Sequence, residues 1–253
     1  MIMNFYFNSP LEQFEIICLI PINLYGFNIS FSNISLFLIF VSIFYIIFFK
    51  FSTRKILLVP LHWQSLAEIS YEITQTIVQD NLGSKGEIYF PLIFTIFLFL
   101  LFCNLLGLIP YSFTITSQLI ITFGLALSVF IGINFIGVRF HGFHFFSIFL
   151  PKGAPIIIIP LLVIIEFVSY IVKVFTLAIR LFANITSGHT LLKIIAGFSW
   201  TILSLGGIFS IIHIIPLLIL LILIGLEIGI ALLQAYVFAL LVCIYLNDVI
   251  DLH

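Results

Sequence analysis

Two apolar stretches of the sequence are each much longer than a single membrane crossing requires. They run from 156 to about 200 and from 208 to about 248. About forty residues of α-helix would extend roughly 60 Å, which is about twice the thickness of the hydrocarbon core of a bilayer. We therefore expect two long helices that either break or lie steeply tilted, with Gly206-Gly207 as the hinge between them.

The composition agrees with a helical membrane protein. Hydrophobic residues make up 63% of the 253 and charged residues only 8%, whereas about a quarter of the residues in soluble domains are charged. Long apolar runs with few turn residues favour a helical bundle over a barrel of alternating strands. The net charge is −1 and no basic block occurs, so no nucleic acid is expected as a partner. No cofactor is expected either.

The remaining apolar segments predict three further spans and one helix at the membrane surface. The spans are expected at about 31–49, 88–109 and 117–138, each close to the 20 or so residues that a crossing helix needs. Segment 57–81 alternates an apolar face with faces of glutamate and glutamine, and Trp63 lies near its start. This pattern predicts an amphipathic helix in the interface, with a loop helix packed on a partner as the alternative.

The predicted fold is an all-α membrane protein with a single membrane domain over 1–253. It has about five membrane helices, one interfacial amphipathic helix, and a final hairpin of two long, steeply tilted helices. The loops on one side carry the basic residues Lys50, Arg54, Lys55, Lys85, Arg139 and Lys152. The positive-inside rule then places the N-terminus outside and the C-terminus in the cytoplasm or matrix. Because no cleavable signal or transit peptide is recognisable at the start, the protein is expected to be made where it works.

Arg180 is the main functional candidate, because it places a permanent charge inside the first long apolar stretch. A charge at bilayer depth costs at least about 2.5 kcal/mol, so a membrane protein that keeps one there is expected to use it. The alternative is a structural ion pair with a neighbouring carboxylate. His189 and Glu227, two titratable groups in the same hairpin, favour the functional interpretation.

Three pairs of polar residues lie at matching depths if the two long helices form an antiparallel hairpin that turns near 207–208. The pairs equally distant from the turn are His189 with Glu227, Arg180 with Gln234, and Glu166 with Asp248. At 100° per residue Asn184 shares the face of Arg180, whereas His189 lies half a turn round and about 13 Å farther along. This geometry describes a charge barrier between two separate polar patches.

Several polar residues also have purely structural interpretations. Glu166 and Lys173, seven residues apart, could form an ion pair, and Lys173 and Lys193 could instead extend toward the interface. The loop histidines His141 and His144 lack a third ligand, which makes a metal site unsupported. The three cysteines show no CxxC spacing and are expected to be apolar filler without disulfides.

The chain resembles subunit a of the F-type ATP synthase, in its mitochondrial form. The resemblance is carried by the runs AIRLFANITSGHTLLKIIAGF and LEIGIALLQAYVFALLVCIYLNDVIDLH, and by SPLEQFEI and LLGLIPYSFT earlier in the chain. It implies a proton-translocating stator subunit in the mitochondrial inner membrane, not an enzyme on its own, with its N-terminus toward the intermembrane space and its C-terminus toward the matrix. The implied partners are the c-ring, other membrane and peripheral-stalk subunits, the lipid bilayer and the transported protons.

The resemblance also implies a role for each matching position. Arg180 matches the arginine that faces the proton-carrying carboxylate of the rotating c-ring, and Asn184 and Gln234 match polar residues beside it. Glu227 and His189 match a pair in the half-channel open to the intermembrane space. Bacterial relatives commonly carry these two residue types exchanged, so the arrangement in this chain favours an organellar origin.

The second half-channel is less completely specified. Glu166 matches an acidic residue of the matrix-side half-channel, and Asp248 is placed opposite it by depth alone. Two other classes remain as alternatives: an ion transporter or respiratory-complex membrane subunit, and a structural scaffold. No internal repeat of the kind typical of transporters is visible, and a scaffold would not need Arg180 or Glu227.

Overall fold

The computed structural model describes residues 9, 11–24, 27–28, 30–54, 57, 59–109, 112–149, 158–207 and 209–250. The α-helices in these ranges are α1 Asn33–Ser52, α2 His62–Leu82, α3 Phe90–Gly107, α4 Leu119–His141, α5 Ile159–Ser204, α6 Phe209–Ile212 and α7 Ile214–Ile250. Short 3-10 helices cover Glu12–Phe14, Gly83–Tyr89, Ile115–Ser117 and Gly142–Phe149. Among the described helices, the segments of α1, α3, α4, α5 and α7 are long and apolar enough to cross a membrane. The predicted all-α membrane fold is confirmed.

The segment before α1 contains short strands that the sequence analysis does not predict. They are β1 Cys18–Ile20, β2 Asn23–Leu24, β3 Phe27–Asn28 and β4 Phe31–Ser32, with β1 paired antiparallel to β4 and β2 to β3. Asn33, the first residue of α1, holds this segment through its side chain. Its Nδ2 donates to the carbonyl of Glu15 at 3.0 Å, and its Oδ1 accepts from the backbone N–H of Ile17 at 3.3 Å. The N-terminal segment is therefore folded back against the start of the first span.

A tight turn joins the two long helices. Gly206 and Gly207 both have positive φ, 68° and 62°, a conformation that glycine adopts without the steric cost borne by other residues. The predicted hinge is thus the turn that reverses the chain between α5 and α7. α5 has 46 residues and α7 has 37, so at about 1.5 Å per residue both exceed the roughly 30 Å hydrocarbon thickness.

The second long helix is interrupted near its start. The sequence predicts one continuous segment over 208–248, but α6 ends at Ile212 and α7 begins at Ile214. Pro216 explains this break, because a proline has no backbone N–H and its ring clashes with the carbonyl four residues earlier, which is that of Ile212. Pro216 is well tolerated where it is, in the first turn of α7.

α7 lies at the centre of the fold and packs against α2, α3, α4 and α5. Four small residues at every fourth position of α7 are at most 1% exposed: Ala231, Ala235, Ala239 and Cys243. Small side chains let membrane helices approach closely. The Asn104 side chain of α3 donates from Nδ2 to the carbonyl of Ala231 at 3.3 Å, which adds a polar link to this packing. Cys18, Cys103 and Cys243 are all free.

The amphipathic helix α2 packs its C-terminal half against the bundle. Ile77 and Val78 are buried, whereas Leu66 and Ile69 are about half exposed, together with Trp63 near the helix start. The N-terminal part of α2 therefore keeps an apolar surface that is available to lipid or to a partner.

The basic residues that set the expected orientation lie only partly within the described chain. Lys50 and Arg54 are exposed at the end of α1 and just after it. Lys55 and Lys152 fall outside the described residues, as does the side chain of Lys85. The orientation of the chain across the membrane stays a prediction.

Candidate functional site

His189 and Glu227 face each other in the interior of the hairpin. The Nε2 of His189 lies 3.8 Å from the Oε1 of Glu227, and the two side chains are only 10% and 6% exposed. These two atoms have no hydrogen-bond partner among the described residues, and 3.8 Å is too long for a direct hydrogen bond. Because an imidazole and a carboxyl group can each take up and release a proton, a small movement of either side chain would allow a proton to pass.

Gly188 makes room for the carboxylate of Glu227 against α5. A Cβ placed on Gly188 would lie 2.5 Å from the Oε1 of Glu227, which is closer than real Cβ contacts. On the other side, the backbone carbonyl of Gly107, the last residue of α3, lies beside the imidazole of His189. Three helices therefore meet at the buried pair, and backbone atoms form part of its walls.

Arg180 lies on the opposite, exposed face of α5. The guanidinium has no hydrogen-bond or ion-pair partner within the part of the chain that the structure describes, so the alternative of a structural ion pair is not seen there. Its exposed neighbours one and two turns away are small: Thr176, Ala183 and Ser187. His189, by contrast, is buried. Arg180 and His189 thus face different environments, as helix geometry predicts.

Asn184 and Gln234 join α5 to α7 between these two environments. The Nδ2 of Asn184 donates to the Oε1 of Gln234 at 2.9 Å, and Gln234 is buried at 5% exposure. Equal distance from the turn would place Gln234 level with Arg180. In the structure it bonds the residue one helical turn farther along α5 than Arg180.

Asp248 pairs with Lys173 and not with Glu166. The Nζ of Lys173 lies 3.3 Å from the Oδ2 of Asp248, with side chains 31% and 44% exposed. The same ammonium lies 5.7 Å from the ring centre of Tyr170 and 5.2 Å from that of Tyr245. This contact replaces the interpretation of Lys173 as a partner of Glu166. Glu166 is partly buried on α5, about two turns before Lys173.

The other polar candidates take structural positions. The Nε2 of His141 lies 3.1 Å from the carbonyl of Ile250, and His144 is exposed. The described residues include no group of three side chains that could hold a metal ion. Lys193 donates to the carbonyl of Ser9 at 3.4 Å.

Three residues next to the buried pair are missed by the reasoning from sequence: Phe14, Gln118 and Gly188. The ring of Phe14 meets that of His189 edge to face, with centroids 6.3 Å apart, and Gln118 bonds the carbonyl of Phe14. Phe14 is far from His189 along the chain, so no spacing rule connects them. Of these three residues, only Gly188 could have been recognised from sequence. It directly precedes His189 in a helix, where glycine is otherwise unfavourable.

Comparison with known proteins shows which family of sequences this chain resembles. The family described as ATP synthase A chain matches residues 33–247. The ATP synthase subunit a of Chondrus crispus is 62% identical over 251 residues, which cover 99% of both chains. The ATP synthase subunit a of Brassica napus is 50% identical over 252 residues, or 97% of both chains. That of Marchantia polymorpha is 49% identical over 249 residues, or 97% of this chain and 99% of the relative.

Proposed function

Since the chain belongs to the ATP synthase subunit a family and is thus a proton-translocating membrane subunit of that complex, we propose that it forms two offset half-channels against a rotating c-ring. Arg180 separates the half-channels in this proposal. The observation that carries it is the opposite placement of Arg180 and the His189–Glu227 pair, the first exposed on α5 and the second buried in the hairpin. The other subunits of the complex are its partners.

The proton inlet runs through the buried pair. A proton from the intermembrane space reaches His189 and Glu227 and passes to an ionised carboxylate of the ring. The 3.8 Å separation of Nε2 and Oε1, without other hydrogen-bond partners among the described residues, leaves both atoms free to exchange a proton. Once the ring carboxylate is neutralised, its cost of facing lipid largely disappears, and the ring can turn.

Arg180 acts as the fixed charge that the ring must pass. A positive charge beside a carboxylate lowers the pKa of that carboxylate, so Arg180 favours release of the proton before the carboxylate reloads. A guanidinium does not itself release a proton under physiological conditions, so it blocks direct leakage between the half-channels. The small exposed residues around it, Ala183 and Ser187, allow a ring helix to approach closely.

The proton outlet lies toward the matrix, near Glu166 and Asp248. The structure supports this assignment by placing a second set of ionisable groups, Lys173 and Asp248, where the C-terminal part of α7 meets α5. In this proposal Lys173 holds the carboxyl group of Asp248 beside the outlet, and Glu166 receives protons from the ring. The chain crosses the mitochondrial inner membrane with its C-terminus in the matrix. Each elementary charge that crosses this membrane gains about 2.3 kcal/mol per 100 mV of membrane potential.

Photocross-linking from the face of Arg180 tests the proposal. A cysteine replacing Ala183, in a Cys18→Ser background that removes the exposed native thiol, is labelled with a photoactivatable cross-linker in the assembled complex. We expect capture of a small ring-forming subunit. The matched control is Ala178→Cys, because Ala178 is 0% exposed on the core face of the same helix. Capture of lipid alone from position 183 would contradict the proposal.

A further inference from the structure

We propose that the N-terminal segment Leu11–Phe14 caps the His189–Glu227 pair and that Phe14 is a positioning residue of the proton inlet. This inference deepens the proposed function, because it rests on the pair being the inlet. In the cap, the ring of Phe14 keeps bulk water off one edge of the imidazole, and protons reach His189 through a narrower polar route beside it.

The contact between Phe14 and His189 is direct and specific in geometry. The two ring centroids are 6.3 Å apart and the ring planes are at 86°, an edge-to-face arrangement that aromatic rings prefer. Phe14 is itself partly buried, and His189 is only 9% exposed. An apolar ring in this position excludes water from the imidazole edge that it covers.

Hydrogen bonds from three other parts of the chain hold the cap in place. Gln118, just before α4, donates from Nε2 to the carbonyl of Phe14 at 2.6 Å. Lys193, one turn beyond His189 on α5, donates to the carbonyl of Ser9 at 3.4 Å. Asn33 at the start of α1 bonds a backbone carbonyl and a backbone N–H just after the cap, at 3.0 and 3.3 Å. The cap is therefore a fixed part of the site.

A polar route beside the cap is provided by buried side-chain atoms that have no hydrogen-bond partner among the described residues. These atoms are the Nε2 of Gln13 and the Oγ1 atoms of Thr114 and Thr116. Thr114 packs against Gly107: a Cβ on that glycine would lie 3.0 Å from the Cγ2 of Thr114. Since the Gly107 carbonyl lies beside His189, these hydroxyls lead toward the imidazole. Buried polar groups of this kind characteristically bind ordered water.

The cap changes the proton affinity of the His189–Glu227 pair as well as the access of water and protons to it. In a water-poor interior an imidazole and a carboxylate interact more strongly than in bulk water. Removing the Phe14 ring admits water and weakens that interaction. The dependence of ATP synthesis on pH at the inlet side should therefore shift, while the maximal rate is retained. A purely structural role for Phe14 would instead lower the rate by the same factor at every pH.

Histidine labelling of the whole ATP synthase in membranes measures the cap directly. Diethyl pyrocarbonate is added briefly, and each histidine is quantified by peptide mass spectrometry, with the exposed His62 as the internal reference. In the wild type His189 should label much more slowly than His62. Phe14→Ala should raise labelling of His189 several-fold and shift the inlet-side pH profile. Phe40→Ala, the same change at an exposed ring of α1, should do neither.

A second variant keeps the inference testable if Phe14→Ala fails to assemble. Gln118→Ala leaves the ring intact but releases the carbonyl of Phe14, and it should raise His189 labelling in the same direction. Unchanged labelling in the assembled variants, or wild-type labelling equal to that of His62, would overturn the cap. If labelling rises while coupled synthesis is insensitive even to loss of Arg180, the proposed function fails and the cap stands.

Discussion

Asn184 donates a hydrogen bond of 2.9 Å to Gln234, and this bond lies between Arg180 and His189 along α5. Two carboxamides separate the exposed charge from the buried titratable pair. Carboxamides neither gain nor lose protons near neutral pH, so the bond fixes the distance between α5 and α7 without carrying a proton onward. It is the structural element that keeps the proposed barrier and the proposed inlet apart.

Breaking this bond from one side should destabilise the complex more than removing it altogether. Asn184→Leu leaves the buried amide of Gln234 unsatisfied, at a cost of about 1–3 kcal/mol. Gln234→Leu leaves the partly buried amide of Asn184 unsatisfied and should cost less. The double variant replaces both polar groups by apolar ones and should recover part of that loss. The thermal midpoint and yield of the assembled complex measure the effect. Additive losses in the double variant would show that the two amides do not act as a pair.

Exchanging the buried pair should preserve more function than deleting half of it. The variant His189→Glu with Glu227→His keeps one imidazole and one carboxylate at the two positions whose native side chains lie 3.8 Å apart. Proton-driven ATP synthesis in this double variant should exceed that of Glu227→Leu. Equal loss of activity in both would mean that the pair is not a shared proton relay.

Gly188 should tolerate no side chain, because the carboxylate of Glu227 occupies that space. A Cβ at this position would lie 2.5 Å from Oε1, so Gly188→Ala should displace Glu227 and sharply lower proton-driven synthesis. Gly132→Ala on α4 is the matched control, since no atom lies within 4 Å of its Cβ position. That control should be neutral or stabilising by up to about 1 kcal/mol. Equal activity of the two variants would contradict the geometry.

The Lys173–Asp248 pair should contribute little to stability and more to proton exit. Its side chains are 31% and 44% exposed, and such pairs contribute at most about 1 kcal/mol. In a double-mutant cycle with Lys173→Gln and Asp248→Asn, we expect a small coupling in thermal midpoint and a clear coupling in the rate of ATP synthesis. Rates that depend on each residue independently would remove Lys173 from the proposed outlet.

The helices and the turn follow from patterns that the sequence displays openly. The apolar runs are long enough to be recognised as spans, and two consecutive glycines mark the reversal between α5 and α7. Equal distance from that turn then brings His189 level with Glu227, and the side chains meet in the structure. This depth match holds best for His189 and Glu227, because they lie nearer to the turn than the other two pairs do.

The depth match between α5 and α7 becomes less accurate with distance from the turn. The contact partner of Gln234 is Asn184 in place of Arg180, and that of Asp248 is Lys173 in place of Glu166. From the turn outward, each contact residue of α7 lies progressively farther from the turn than its partner on α5. The break at His213 precedes all three contacts on α7 and therefore does not cause this drift. The contact between Phe14 and His189 could not be predicted from residue spacing, because it forms through tertiary packing alone.

The most direct test of the account is ATP synthesis by membranes that carry Arg180→Ala. The guanidinium lies on the exposed face of α5 and has no hydrogen-bond or ion-pair partner among the described residues, so its removal should leave the complex assembled. We predict that proton-driven ATP synthesis is abolished in these membranes while the amount of complex is unchanged. Normal coupled synthesis in the Arg180→Ala complex would contradict the assignment of Arg180 as the charge that separates the two half-channels.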